Sequence, residues 1–364
     1  MGTRIVFHID FDYFYAQCEE IRNPNLKFKP VCVCVFSDRG GDSGAIATAN
    51  YTARKFGVKS GLPISFAKNK LKDEKDAVFL PVDFDYYLAI SEKAMEIMNN
   101  NADIFEYVGK DEAYLDVSNK TNHDWNEAEK LAKKIKNEIK EKLNLTCSIG
   151  VSPNKLISKI ASDFQKPDGL TIVLPDKFDE FLEPLKIREI PGIGKKTEEQ
   201  FSEMDYKTIS DLKKIDVFTL NKKFGRKTGA YLFNAVRGID NDPVKPREQN
   251  SQYSKIITLK KDSLEFDFLL ENFKLLCNEV HQIVLSKNKM FKSVGIQLIQ
   301  SDLSNKTKSK MLKNPTSDLN ELKKNVEQLL KDALEEQKIV IRRIGVKVSE
   351  LSDIRDQSSI TSYF

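Results

Sequence analysis

The sequence predicts a multidomain α+β protein, and three observations carry that prediction. Strand-like runs alternate with amphipathic spacing in the N-terminal third; residues 174–238 show only short helical stretches with glycine punctuation; the C-terminal third reads as βαββαβ.

Arg4 to Ile9 is an apolar run ending at Asp10, and Val31 to Phe36 is a second, bounded by Pro30 and the polar loop Ser37 to Gly44. Both read as strands. Ala128, Leu131, Ile135, Ile139 and Leu143 recur at helical spacing within Asn126 to Leu143, and Thr146 to Val151 returns to strand. Elements of this kind flanking a hairpin around Asp111 predict a split βαβ sheet with helices on one face. Gly238 to Asn250 holds two prolines and few apolar residues, the composition of a linker. Beyond it, strands are expected at 255–260, across 292–312 with a turn near Asp302 to Asn305, and at 340–348, with helices at 268–286 and 318–336.

A chain of 364 residues has room for roughly two to four domains. With 40% hydrophobic and 31% charged residues it has the composition of a folded, soluble protein rather than a disordered one. No apolar run approaches the roughly 18 residues of a membrane span, and no basic leader precedes an apolar segment. A cytoplasmic protein with no membrane contact is therefore expected. Cys18, Cys32, Cys34, Cys147 and Cys277 form no C-x-x-C pair, and Cys32 and Cys34 share one face of a strand, which predicts free core thiols. Residues 241–350 hold 20 Lys and Arg against 15 Asp and Glu, while residues 1–240 balance at 37 and 37, so the basic surplus lies in the C-terminal third.

Carboxylates cluster twice, at Asp10 with Asp12 and at Asp111-Glu112. If their elements are neighbours in one sheet, Asp10, Asp111 and Glu112 converge at its edge, where hard oxygen ligands would suit two magnesium ions. On a helix opening near Ala49, Tyr51 and Arg54 share a face at i, i+3 and both reach toward one triphosphate, with Gly57 suited to the C-cap. Lys166, ahead of Pro167-Asp-Gly169, is a further phosphate cation. At Ile190-Pro-Gly-Ile-Gly-Lys195 an apolar segment runs into a glycine turn and a new helix, as in helix-hairpin-helix elements that grip DNA backbone through exposed amides without reading sequence. Gly192, Gly194 and Lys195 are the expected contacts, and Phe224-Gly-Arg-Lys-Thr-Gly229 reads as a weaker second copy. The terminal Gln357-Ser-Ser-Ile-Thr-Ser-Tyr-Phe364 sets Ile360, Tyr363 and Phe364 at i, i+3, i+4 behind a polar anchor, Gln357; it resembles the peptide by which replication and repair proteins hold the archaeal and eukaryotic sliding clamp.

Ile9-Asp-Phe-Asp-Tyr-Phe-Tyr-Ala16, Ala47-Thr-Ala-Asn-Tyr-Thr-Ala-Arg54, Asp111-Glu-Ala-Tyr-Leu-Asp116, Ile149-Gly-Val-Ser-Pro-Asn-Lys155, Lys166-Pro-Asp-Gly169 and Ile190-Pro-Gly-Ile-Gly194 stand in the order found in Y-family DNA polymerases. The chain resembles their archaeal DinB-like branch from residue 4 to about 350. The resemblance implies a right-hand polymerase: palm 1–13 and 80–173, short fingers 14–79, helical thumb 174–238, linker 239–252, little finger 253–350 and clamp-binding tail 351–364. It implies a translesion DNA polymerase that adds dNTPs to a primer 3′-hydroxyl on primer-template DNA with two Mg2+ ions, distributive, without proofreading, monomeric and tethered to a sliding clamp. By motif position Asp10 and Asp111 match the metal-binding aspartates, Glu112 the active-site glutamate and the Phe11 carbonyl a further metal contact. Tyr15 matches the steric gate against a 2′-hydroxyl; Thr48, Tyr51, Arg54 and Lys166 match triphosphate positions; Val35 and Ala45 match small residues over the nascent base pair. One departure stands out: Gly109-Lys110 replaces the family's usual serine and aliphatic residue, and Lys110 is expected to pair with a nearby acid. The competing classes are a non-catalytic clamp-associated DNA-binding protein and a palm-type nucleotidyl cyclase. The acid triad with Tyr15 argues against the first, and the thumb turn with the tail against the second.

Overall fold

A computed structural model describes residues 3–246, 250–336 and 340–354. The described chain divides into two compact units, residues 3–35 with 45–246 and residues 36–44 with 250–354.

The first unit opens with β1 (Val6–Phe11), α1 (Phe14–Arg22), β2 (Val31–Phe36), β3 (Gly44–Ala49), α2 (Tyr51–Arg54), α3 (Ile64–Lys70) and β4 (Val78–Pro81). It continues through α4 (Phe84–Asn100), β5 (Ile104–Tyr107), β6 (Glu112–Asp116), α5 (Trp125–Leu143), β7 (Cys147–Ser152), α6 (Lys155–Phe164) and β8 (Leu170–Ile172). Five strands make one sheet in the order β5-β6-β1-β7-β8, with β1 central and antiparallel to both neighbours. Strand alternation sorts its faces. Ile5, Phe7, Ile9, Ala113, Leu115, Ile149 and Val151 point into a core closed by Ala94, Met98, Ile135 and Ile139 of α4 and α5.

The opposite face carries His8 and Gly150, and α6 lies there, which corrects the expectation of helices on one face only. The reason is local. A Cβ on Gly150 would fall 1.9 Å from the Ser158 carbonyl oxygen and 2.4 Å from the Ser162 nitrogen, so only glycine lets α6 come this close to the sheet. β1 also runs on through Asp10 to Phe11 rather than stopping at Ile9.

Strands β3-β2-β4 form a small second sheet in which β2 and β4 are parallel. Cys32 and Cys34 sit in its core with Ile46, Ile64 and Ala67, and burial pushes both thiols up to about 12. All five cysteines are buried and free, as expected. Residues 174–238 hold α7 (Phe178–Leu182), α8 (Lys195–Ser202), α9 (Ile209–Lys213), α10 (Val217–Phe224) and α11 (Arg226–Ala235), with no strand among them.

In the second unit, β9 (Gln252–Ser263), α12 (Phe266–Ser286), β10 (Lys289–Gln300), β11 (Asn305–Thr316), α13 (Leu319–Glu336) and β12 (Ile341–Asp353) reproduce the predicted βαββαβ order. The sheet is antiparallel in the order β11-β10-β12-β9. Its apolar face packs against Leu269, Phe273 and Val280 of α12 and Leu322, Val326 and Leu330 of α13. The loop 36–44, expected in the fingers, groups with this unit: Arg39 Nε donates to the Leu259 carbonyl at 2.8 Å and its guanidinium pairs with Asp262.

Candidate active site

Antiparallel pairing sets Asp10 of β1 opposite Glu112 of β6, and the Phe11 amide donates to the Asp111 carbonyl at 2.8 Å. The end of β1 and the β5–β6 turn thus form one edge, as the sequence required for its acids to converge. A cleft of about 310 Å³ opens there. Asp10, Phe11 and Asp111 line one side of it, Tyr15 the floor region beside them, and Thr48, Arg54 and Lys166 the rest of the wall.

The acids differ in environment. Burial raises the Asp10 carboxyl to about 6, only partly offset by its ion pair with Lys166. Lys166 also pairs with Asp163 at 2.8 Å; burial works against the lysine cation, but the two acids outweigh it and raise its pKa. Burial, then the neighbouring Glu112 charge, raises Asp111. Glu112 goes the other way, down to about 2, because its carboxylate accepts from His8 and Lys159 strongly enough to outweigh burial. That carboxylate lies off the cleft wall: Oε2 meets His8 Nε2 at 3.1 Å and the Lys159 ammonium. His8 is fully buried and held down to about 4 by desolvation, so it is neutral near pH 7 and gives its Nε2–H to Glu112, while its Nδ1 lies 2.7 Å from Ser162 Oγ.

Asp12, clustered with Asp10 in sequence, has a different task. It is buried and accepts from Thr146 Oγ1, Ser148 Oγ and the Asp168 amide, all at 2.8 Å, tying β1 to β7 and to the turn after Lys166.

Tyr15, in the first turn of α1, stacks on Tyr87 with ring centres 4.6 Å apart and planes at 16°, while Phe84 meets it edge-on at 6.1 Å. Asn50 caps α2 by accepting from the Ala53 amide, and Gly57 ends the turn at φ 78°, as its sequence position predicts. Arg54 faces the cleft, with its Nε donating to the Ala49 carbonyl at 2.8 Å. Tyr51 does not line the cleft. Its ring packs edge-on against Tyr13 and under the Arg54 guanidinium, and its hydroxyl is buried without a partner. The shared face of Tyr51 and Arg54 is real, but the tyrosine supports the arginine from behind. Lys110 makes no ion pair among the described residues; its ammonium lies 4.7 Å from the centre of the Phe84 ring, contrary to the expectation of an acid partner.

In the helical region Gly192 takes φ 85° and Gly194 caps α8 without any side-chain hydrogen bond, and no atom lies within 4 Å of a Cβ built on Gly194. The start of α8 thus has room around Gly194 and an exposed Lys195 beside it, features suited to a phosphate. Gly225, at φ 81°, joins α10 to α11 by the same device. Gln357, Ile360, Tyr363 and Phe364 lie outside the described residues.

Sequence reasoning missed His8, Lys159 and Ser60. His8 was legible in principle, since strand alternation puts it on the face of Asp10. Ser60 was not: it reaches the cleft only because the Gly61 amide bonds to the Ile46 carbonyl at 2.8 Å, a contact between segments far apart in pattern.

Residues 9–163 match the model of the impB/mucB/samB family, residues 188–240 that of the DNA polymerase-iota thumb domain, and residues 250–361 that of the impB/mucB/samB family C-terminal domain. The chain is 70% identical over 364 residues to DNA polymerase IV of Nitrosopumilus maritimus and 42% identical over 369 residues to that of Methanosarcina acetivorans, with each chain covered in full. Among solved structures it is similar to a Y-family DNA polymerase chimera of Dbh and Dpo4, with a TM-score of 0.89 and 36% identity over 96% of this chain and 100% of that one.

Proposed function

Because the chain belongs to the archaeal DNA polymerase IV branch of the Y family and is a translesion DNA polymerase acting on primer-template DNA and dNTPs, we propose that Asp10, Asp111 and the Phe11 carbonyl hold two magnesium ions, with Glu112 beside them. Polymerases of this family use divalent metal ions. The donor chemistry fits magnesium: Asp10, Asp111 and the Phe11 carbonyl are hard oxygen donors lining one cleft, and magnesium is commonly held by one or two carboxylates completed by water and substrate phosphate. When bound, the ions supply activation of the primer 3′-hydroxyl and charge neutralisation at the transferred phosphoryl group.

The observation that carries this reading is the single cleft shared by Asp10, Asp111, Tyr15, Thr48, Arg54 and Lys166. Arg54 and Lys166 bind the triphosphate, Arg54 as a planar fork braced by Tyr51 and Lys166 as a cation drawn from Asp10 and Asp163. Thr48 adds a hydroxyl donor. Tyr15 is the steric gate, stacked flat on Tyr87 so that its ring cannot swing away from a 2′-hydroxyl. His8 and Lys159 orient Glu112.

The Gly192 to Lys195 turn grips the DNA backbone, and the basic surplus of residues 241–350 adds non-specific attraction. Gln357, Ile360, Tyr363 and Phe364 tether the enzyme to a sliding clamp, a reading that rests on their sequence pattern.

Single-turnover primer extension tests the site. Asp111→Ala should lower the rate by at least about 10²- to 10³-fold with primer-template affinity nearly unchanged. Extension by that variant at the parental rate sinks the assignment.

A further inference from the structure

Lys110 stands directly before Asp111, yet its ammonium is applied to an aromatic ring. That ring, Phe84, is the first residue of α4 and is 45% exposed, so little besides its contacts fixes it. One of those contacts is Tyr15, at 6.1 Å and 79°. The same turn is pinned to α4 from below: Ser91 Oγ donates to the Lys110 carbonyl at 2.5 Å. A continuous set of contacts therefore runs from the turn bearing Asp111, through Lys110 and Phe84, to the ring of Tyr15.

Tyr87 holds one face of Tyr15 by stacking, which leaves the ring free to slide in its own plane. Phe84 closes that direction, and a cation over Phe84 is what holds an otherwise half-exposed ring in place. Burial, then the charge of Asp111, raises the Tyr15 hydroxyl, in line with a ring packed beside the acids rather than in open water.

We infer that Lys110 and Phe84 are positioning residues for sugar selection, bracing Tyr15 so that its ring meets the 2′ position of the incoming nucleotide. The inference rests on Tyr15 being the steric gate. It assigns the Gly109-Lys110 departure a role in specificity rather than in metal chemistry.

The test is the ratio of kcat/KM for dCTP to that for CTP opposite template G, in the full-length enzyme with magnesium. Lys110→Met should lower the ratio about threefold and Phe84→Ala about tenfold, with dCTP turnover near the parental value and the change arising as a gain in kcat/KM for CTP. Lys110→Arg and Phe84→Tyr, which keep a cation and a ring, should restore the parental ratio. In the Phe84→Ala background Lys110→Met should change nothing further. A parental ratio for Lys110→Met overturns the inference, as does an equal loss for both nucleotides. Tyr15→Ala separates the two levels: if it collapses the ratio while Lys110→Met does not, the gate stands and the brace falls; if it leaves the ratio intact, the gate reading itself fails and the brace with it.

Discussion

Gly150→Ala should dislodge the helix that carries Lys159 and Asp163 beside the site. The new Cβ would lie 1.9 Å from the Ser158 carbonyl oxygen, 2.4 Å from the Ser162 nitrogen and 2.9 Å from Ala161 Cβ, and two of these three atoms are backbone that no rotamer change can move. Restoring ordinary contact of about 3.5 Å with the nearest of them requires α6 to retreat by roughly 1.6 Å. Overpacking typically costs about 1–3 kcal/mol, and a clash against rigid backbone belongs at or above the upper end, so a loss of about 3 kcal/mol is expected. The same retreat draws Lys159 away from Glu112 and shifts the chain leading to Lys166, the partner of Asp10. A misplacement of about 1 Å can cost on the order of 100-fold in rate, so primer extension should fall by about 10- to 100-fold even where the protein remains folded. The chain has one tryptophan, Trp125, at the start of α5 against the same sheet, which makes urea unfolding by fluorescence a direct readout of this core. A stability loss below about 0.5 kcal/mol, together with parental extension, would refute the claim that close approach of α6 at Gly150 builds the site.

Magnesium dependence should carry the signature of Asp10. Its carboxyl sits at about 6, and a metal ligand must be ionised, so the half-saturating magnesium concentration should rise as pH falls from 7 toward 5 and level off above 7; Lys166→Met removes the charge that lowers this pKa and should move the rise to higher pH, whereas an unshifted profile contradicts the pairing. Primer-template affinity should fall steeply with salt and show little sequence preference, and Lys195→Glu should lower the slope of log affinity against log salt by about 1; a flat dependence, measured by fluorescence anisotropy, would count against the thumb contact. Deleting residues 357–364 should leave single-nucleotide addition unchanged and abolish stimulation by an archaeal sliding clamp; undiminished stimulation of the truncated enzyme would remove the tail from the account.

What the residues determined by themselves was local or periodic. Apolar runs placed β1 and β2, and apolar spacing the βαββαβ order of the second unit; glycine at Gly57, Gly192 and Gly225 marked backbone that only a residue without Cβ takes readily; and the order of the motifs carried Asp10, Asp111, Tyr15, Arg54 and Lys166 together. Tertiary structure decided what depended on partners distant in the chain. Asp10 and Asp12 look equivalent in sequence, yet Asp10 opens into the cleft while Asp12 is buried under Thr146, Ser148 and Asp168, because β1 ends at Phe11 and Asp12 lies past it. Tyr51 shares a helix face with Arg54 but stands behind it, since packing against Tyr13 fixes its ring. Lys110 took Phe84 instead of a carboxylate, and Glu112 took His8 and Lys159. In each case the pattern specified which chemistry was available, and the packing of α4 and α6 on either side of one sheet selected the partner, because the reach of a charged side chain is set by the backbone beneath it and not by its neighbours in sequence.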